Sequence, residues 1–326
     1  MPLTIQKWLK INGFLFGILF LVFIFCLFVG SPVLSPHALF ENNNVVHDIF
    51  FHARLPRVLL SIFVGMALSS SGVAFQSLLR NPLADPYLLG VSGGAALGGA
   101  IAMAFSFPVP LIFVTSFIAA LLTLFLIYSL AQVEGRLPVH ALLLTGVVFN
   151  AFAFALILLI NSLVTLGEAH QMIYLLMGSL ESSSLKEVLW MGFFTLLGFF
   201  ILCWQSPRMN VVGLGDEPAQ QLGVAVDRER TILFFASSIM VGASVALAGL
   251  IGFVGLFVPH MIRLLFGSDH RLVLPASAIG GAIFLMLCDF VARTLFAGAQ
   301  FQTQLPVGVI TALIGGPFFV YLMKKS

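Results

Sequence analysis

Asp289 and Arg293 lie four residues apart inside the apolar run Leu272 to Leu295. On a helix they share a face and can pair. An ionisable group within a membrane span is costly and usually serves function, so a functional pair and a purely structural ion pair both stand as readings. Arg54 and Arg57 add two cations at the head of another apolar run, Val58 to Leu79. With Arg293 they could face an acidic partner or reach lipid phosphates. Charge gathers once more in "GLGDEPAQQLGVAVDRER", Gly213 to Arg230, where Asp216, Glu217, Asp227, Arg228, Glu229 and Arg230 interrupt a chain that is only 9% charged. Asn150, Phe154, Ile157 and Asn161 follow 4-3-4 spacing, one stripe of a helix. Such a stripe could line a pathway, but more often it supplies interhelical hydrogen bonds worth about 0.6 kcal/mol each.

Other chemistries find no pattern. His37, His47 and His52 with Asp48 match no metal-ligand spacing, and no metal site is expected. There is no H-E-x-x-H, no G-x-S-x-G and no nucleophile beside a base, so the chain is expected not to be an enzyme. Cys26, Cys203 and Cys288 lie in apolar runs without a C-x-x-C pair and read as small apolar residues. Gly90, Gly93, Gly94, Gly98 and Gly99 suggest a phosphate loop, yet no G-K-[ST] follows. They read as small residues that let helices approach closely in lipid. If this chain is part of a pump, its ATP site is on another subunit.

The elements that must hold these residues are membrane helices. The chain is 60% hydrophobic with 34 Phe, and its mean hydropathy is +1.09. That composition describes a polypeptide whose solvent is lipid. A net charge of +2 is too small to suggest nucleic acid as a partner, and none is expected. Windows long enough to cross a bilayer predict spans over 13–30, 58–79, 88–106, 111–132, 141–166, 188–203, 231–250, 272–295 and 306–323. The first run follows Lys7 and Lys10, is longer than a usual signal core and has no A-x-A site after it, so it reads as a retained span. "SFPVP", Ser106 to Pro110, separates the third span from the fourth. The run 252–265 is short and holds Pro259. Charge decides its topology. Lys7, Lys10, Lys324 and Lys325 place both termini on the cytoplasmic side, which requires an even number of crossings, so the short run also crosses, as the tenth. Only Arg54, Arg57, Lys186 and Arg293 of the 15 basic residues then fall outside.

This topology places Gly213 to Arg230 in a cytoplasmic loop, about 206–230. Its local pattern is a short helix on the membrane surface: Asp216 as N-cap, Glu217 at the positive end of the dipole, Pro218 in the first turn and Gly223 in the left-handed C-terminal position. Ala219 and Leu222 share a face three residues apart. Asn81-Pro82 and Asp85-Pro86 make a compact corner between the second and third spans. On these grounds alone, a ten-span ATP-independent secondary transporter of small metabolites is the competing reading.

Several stretches together resemble one family: "RLPRVL", "NPLADPYLLGVSGGA", "RMNVVGLGDEPAQQLGV", "SVALAGLIGFVGLFVPHMIRLLFGSDHRLVLPASAIGGA", "CDFVAR" and "LPVGVITALIGGPFFVYLM". They run in order from Arg54 to the C-terminus and are similar to the FecCD or BtuC-type permeases, which import vitamin B12, haem and ferric siderophores. The resemblance implies an all-α, BtuC-like ABC importer fold with about ten transmembrane helices in a single permease domain over 1–326. It implies a bacterial cytoplasmic membrane and a pathway between two copies of the chain. It also implies two ATP-binding subunits that carry the ATP and Mg, with no cofactor on this chain, and a substrate-binding protein outside. By the same resemblance, Asp216, Glu217, Pro218, Ala219, Gln220, Gln221, Leu222 and Gly223 match the helix that couples to the ATPase. Arg54, Arg57 and Arg293 match positions that dock the binding protein. Asn81 and Leu83 match one cytoplasmic gate loop, and Val139 and His140 the opposing one, where the B12 importer has small hydroxyl residues. The cargo it implies is a metal chelate, with a ferric siderophore first and vitamin B12 or haem close behind.

Overall fold

A computed structural model of the chain describes residues 4–30, 44–180, 184–295 and 305–325. His37 of the histidine group lies outside them. The helices, in chain order, are α1 (Ile5–Phe28), α2 (Asn44–Asp48), α3 (Leu55–Leu78), α4 (Val91–Ala104), α5 (Val109–Ala131), α6 (Val139–Leu163), α7 (Leu166–Met177), α8 (Leu185–Val212), α9 (Asp216–Gln221), α10 (Val226–Ala248), α11 (Val254–Phe266), α12 (His270–Thr294) and α13 (Val307–Lys325). Seven are long and apolar enough to cross a membrane, counting α2 to α3 as one continuous helix through a π-helical turn at Ile49–Arg54. The shorter apolar helices α4, α11 and α13 bring the total to ten.

The solvent preference is inverted relative to a water-soluble protein. Phe14, Phe16 and Phe20 on α1, Leu122 and Phe125 on α5, and Trp190, Phe200 and Trp204 on α8 point outward. The interior is small and close-packed. α3 is buried through most of its length, with α8, α10, α11 and α12 around it. A Cβ on Gly65 would strike the backbone of Gly281 on α12, and one on Gly72 would strike the backbone of Gly255 on α11. A Cβ on Gly94 or Gly98 of α4 would strike Thr123 or Ala119 of α5. Without a hydrophobic drive between helices in lipid, this close approach is the source of contact energy.

Three elements depart from the sequence pattern. α7 fills a stretch where the spacing predicts only the end of the fifth span and a connection. It is capped by Thr165, whose hydroxyl accepts from the Glu168 N–H while Glu168 accepts from the Thr165 N–H at 3.0 Å, a capping box. α8 continues to Val212, well past the predicted end at 203 and through Pro207. Proline removes the bond to the carbonyl four residues back, and that carbonyl, Cys203 O, accepts instead from the Ser206 hydroxyl at 2.8 Å. The surface loop therefore begins at Gly213, not near 206. The third predicted span divides into a 3₁₀ turn, Pro86–Leu89, and α4.

Between α10 and α11 the backbone leaves the helix at 249–253. Unpaired peptide groups are not tolerated in lipid, and here they are bonded within the protein. The Tyr87 hydroxyl accepts from the Ile251 N–H (2.8 Å) and donates to the Ile251 carbonyl (3.0 Å). Leu250 N donates to Leu175 O, and Ser179 N donates to Ala248 O. Phe253 enters α11 with φ +70, a left-handed conformation that is rare outside glycine.

Candidate functional site

α9 begins at Gly215 (φ +126), and no side chain caps it. The predicted Asp216 cap does not form, because two arginines hold its carboxylate. Arg230, on the first turns of α10, donates to Asp216 Oδ1 at 2.7 Å and to Oδ2 at 3.0 Å. Arg80, just beyond α3, pairs with the same carboxylate, and its Nε donates to the Val212 carbonyl at the end of α8 (3.2 Å). Burial, and then the neighbouring Arg230, lower the Arg80 guanidinium from its ordinary value. Ala219 is fully buried against the bundle. Glu217, Pro218, Gln220, Gln221 and Gly223 are exposed, and Leu222 is 63% exposed. Ala219 and Leu222 thus do not share an environment: one anchors the helix to its own bundle and the other is presented outward. Gly223 has φ +79, as the stop signal requires.

The Asn81–Leu83 turn lies beside Arg80. Asn81 Oδ1 accepts from the Leu83 N–H at 2.9 Å, and both residues are exposed. Behind the turn, Gln76 is paired with Arg263 of α11 and donates to the Ala84 carbonyl at 3.4 Å. The approach to α6, which carries Val139 and His140, is held by Asp227 of α10, whose Oδ1 accepts from the Leu137 N–H at 3.3 Å. Arg80, Val139, His140, Asp216 and Gln220 together border one open polar cavity of 560 Å³. Elements distant in sequence therefore meet at this end of the bundle.

At the same end α8 and α12 are joined. Asn210 Nδ2 donates to Asp269 Oδ1 (2.9 Å), and Asp269 also caps the N-terminus of α12 through the Arg271 N–H (3.0 Å). Arg271 and these bonds hold the Asp269 carboxyl down at about 2.

The opposite end carries Arg54, Arg57 and Arg293. Asp289, 1% exposed, receives Arg57 Nε at 2.9 Å and lies 3.0 Å from Arg293 Nε; each arginine is 12% exposed. Arg54 is buried and donates to the Leu27 and Phe28 carbonyls at the end of α1 (3.0 and 3.2 Å). Two guanidiniums from different helices thus share the Asp289 carboxylate, while Arg54 anchors the end of α1. The asparagines of α6 bind neighbouring backbone: Asn150 donates to Tyr87 O (2.7 Å) and Asn161 to Ala169 O (3.1 Å). His52 and Asp48 are both exposed and 3.5 Å apart, and among the described residues no group of His, Cys, Asp and Glu is placed to hold a metal.

A family model for the FecCD transport family matches residues 18–325. The chain belongs to the FecCD transport family. The permease is 39% identical over 323 residues to the hemin transport system permease protein HmuU of Yersinia pestis, spanning 96% of this chain and 95% of that one. It is 41% identical over 275 residues to the cobalamin import system permease protein BtuC of Halobacterium salinarum, covering 83% and 72%. Among solved structures it superimposes, with TM-score 0.87 and 32% identity over 97% of this chain and 99% of the other, on an inward-facing conformation of a putative metal-chelate type ABC transporter. The permease is accordingly a multi-pass membrane protein and a transport component, not an enzyme. Sequence reasoning picked out Asp216, Asp227 and Arg230 as charges of one loop without pairing them, and gave no role to Arg80 or Tyr87. Arg80 directly precedes the motif that begins at Asn81, so adjacency was the available signal. Tyr87 lies inside the quoted stretch "NPLADPYLLGVSGGA", but nothing local pointed to its partners on α6 and beyond α10.

Proposed function

We propose that this permease carries a metal chelate inward across the bacterial cytoplasmic membrane as one of two identical copies. Each copy rests on an ATP-binding subunit that holds the ATP and Mg, and a substrate-binding protein delivers cargo from outside. The observation that carries this reading is the common cavity: α9, with Leu222 presented outward, borders the same space as Val139 and His140 and is tied to Arg80 beside the Asn81–Leu83 turn. An ATPase that grips Asp216 to Gly223 would move both gate segments with it, a two-state rigid-body change. In this reading the termini and α9 are cytoplasmic, and the cluster of Arg54, Arg57 and Arg293 faces outward to attract an acidic binding protein, which speeds its association. The ATP-independent alternative has no use for an exposed docking helix.

Family membership does not select the cargo, since relatives' names run from hemin and cobalamin to molybdate. We take a ferric siderophore as the cargo. Reconstitution with the ATPase and binding protein, followed by uptake of labelled ferric siderophore, haem and cobalamin in parallel, tests this. ATP-dependent accumulation of the ferric siderophore is expected. Uptake of haem or cobalamin alone would reassign the cargo, and equal uptake with and without ATP would overturn the importer.

A further inference from the structure

We propose that Arg80 and Asp227 are positioning residues that link the ATPase-docking helix to the two gate segments, one residue for each gate; this rests on the importer reading above. Asp216, the first residue of α9, is the shared node. On one side its carboxylate is paired with Arg80. Arg80 also holds the end of α8 through Val212 O and leads directly into Asn81. Its backbone is left-handed (φ +48), which a non-glycine residue adopts at a cost. Such conformations persist where surrounding contacts over-determine them, and they cluster at switch regions. On the other side Asp216 is gripped by Arg230. One turn earlier on the same helix, Asp227 accepts from the Leu137 N–H, which fixes the entry into α6 ahead of Val139 and His140. Arg230 and Leu137 are buried, and both arms border the same cavity, which Arg80, Asp227 and Arg230 line. A displacement of α9 is therefore conveyed to Asn81 and Leu83 through one guanidinium, and to Val139 and His140 through the first turns of α10.

The test uses the whole complex of permease, ATPase and binding protein in proteoliposomes, with hydrolysis and uptake measured on the same preparation. Arg80→Met removes the guanidinium while leaving α9 free to dock. The ATPase should copurify as with wild type, and basal hydrolysis should be retained. Uptake should fall about tenfold, so that ATP consumed per cargo rises by about the same factor, within the range of ordinary coupling free energies. Asp227→Asn weakens the second arm and should raise the ratio less. Arg80→Lys keeps the charge but not the two-pronged geometry and should fall between Arg80→Met and wild type. It decides the matter if Arg80→Met fails to assemble. An unchanged ratio in Arg80→Met and Asp227→Asn, or hydrolysis and uptake falling in proportion, would overturn the inference. A wild-type complex that shows no ATP-driven uptake would overturn the importer reading instead.

Discussion

Asp289 is almost fully enclosed, and its two arginines come from different helices, α3 and α12. Removing the carboxylate leaves two guanidiniums in a poorly hydrated site, a change that typically costs about 3 kcal/mol or more. Asp289→Leu is therefore expected to lower the melting temperature of the detergent-solubilised protein substantially; a shift worth less than about 1 kcal/mol would show that the cluster is hydrated and replaceable. The i, i+4 spacing made the Arg293 pair legible, whereas Arg57, 232 residues away in the chain, required the fold. Asp269 gives a pH-dependent test. Its carboxyl is depressed from 3.8 to about 2 by Arg271, Asn210 and the Arg271 N–H. A depressed carboxylate contributes stability above its unfolded value, and loses it as pH falls through the folded one. The stability difference between wild type and Asp269→Ala, about 1 kcal/mol as for a helix cap, should hold from neutral pH down to about 5. It should shrink below about 4 and vanish only as pH falls below about 2. A difference that grows on acidification would contradict this assignment.

Among the elements, α9 keeps Ala219 buried in the bundle, ties Asp216 to two arginines and turns Leu222 outward. Leu222→Asp places a charge on the presented face without touching the bundle. We expect full membrane insertion and unchanged thermal stability, with uptake reduced at least about tenfold, as for loss of a buried interface anchor. Undiminished uptake would remove α9 from the coupling role. The start and stop of this helix were readable from Pro218 and Gly223. Its true N-terminal chemistry was not, because a cap is a local rule and the arginines that capture Asp216 are tertiary. The same contrast between local and tertiary causes explains α7 and α8. Thr165 and Glu168 form a legible capping box, but their apolar surroundings merged with the preceding span. Pro207 signals a helix end, and only the Ser206 hydroxyl on Cys203 O explains why α8 continues.

At the scale of the whole molecule, the described residues hold seven helices long and apolar enough to cross a membrane and three shorter apolar ones, among them α11 over the run 252–265. Composition and hydropathy made the membrane class and the positions of most apolar helices legible. The meeting of α9, Arg80 just beyond α3 and the head of α6 around one cavity was not, since it joins residues from Arg80 to Arg230. The central claim is that this cavity's rim is driven by a separate ATP-binding subunit. Purification of the intact chain from its native membrane in mild detergent, with mass analysis of stoichiometric partners, tests it most directly. The account predicts an ATP-binding subunit in equal amount with the permease, lost in the Leu222→Asp variant. Recovery of the permease without such a subunit, under conditions that keep other membrane complexes intact, would contradict it.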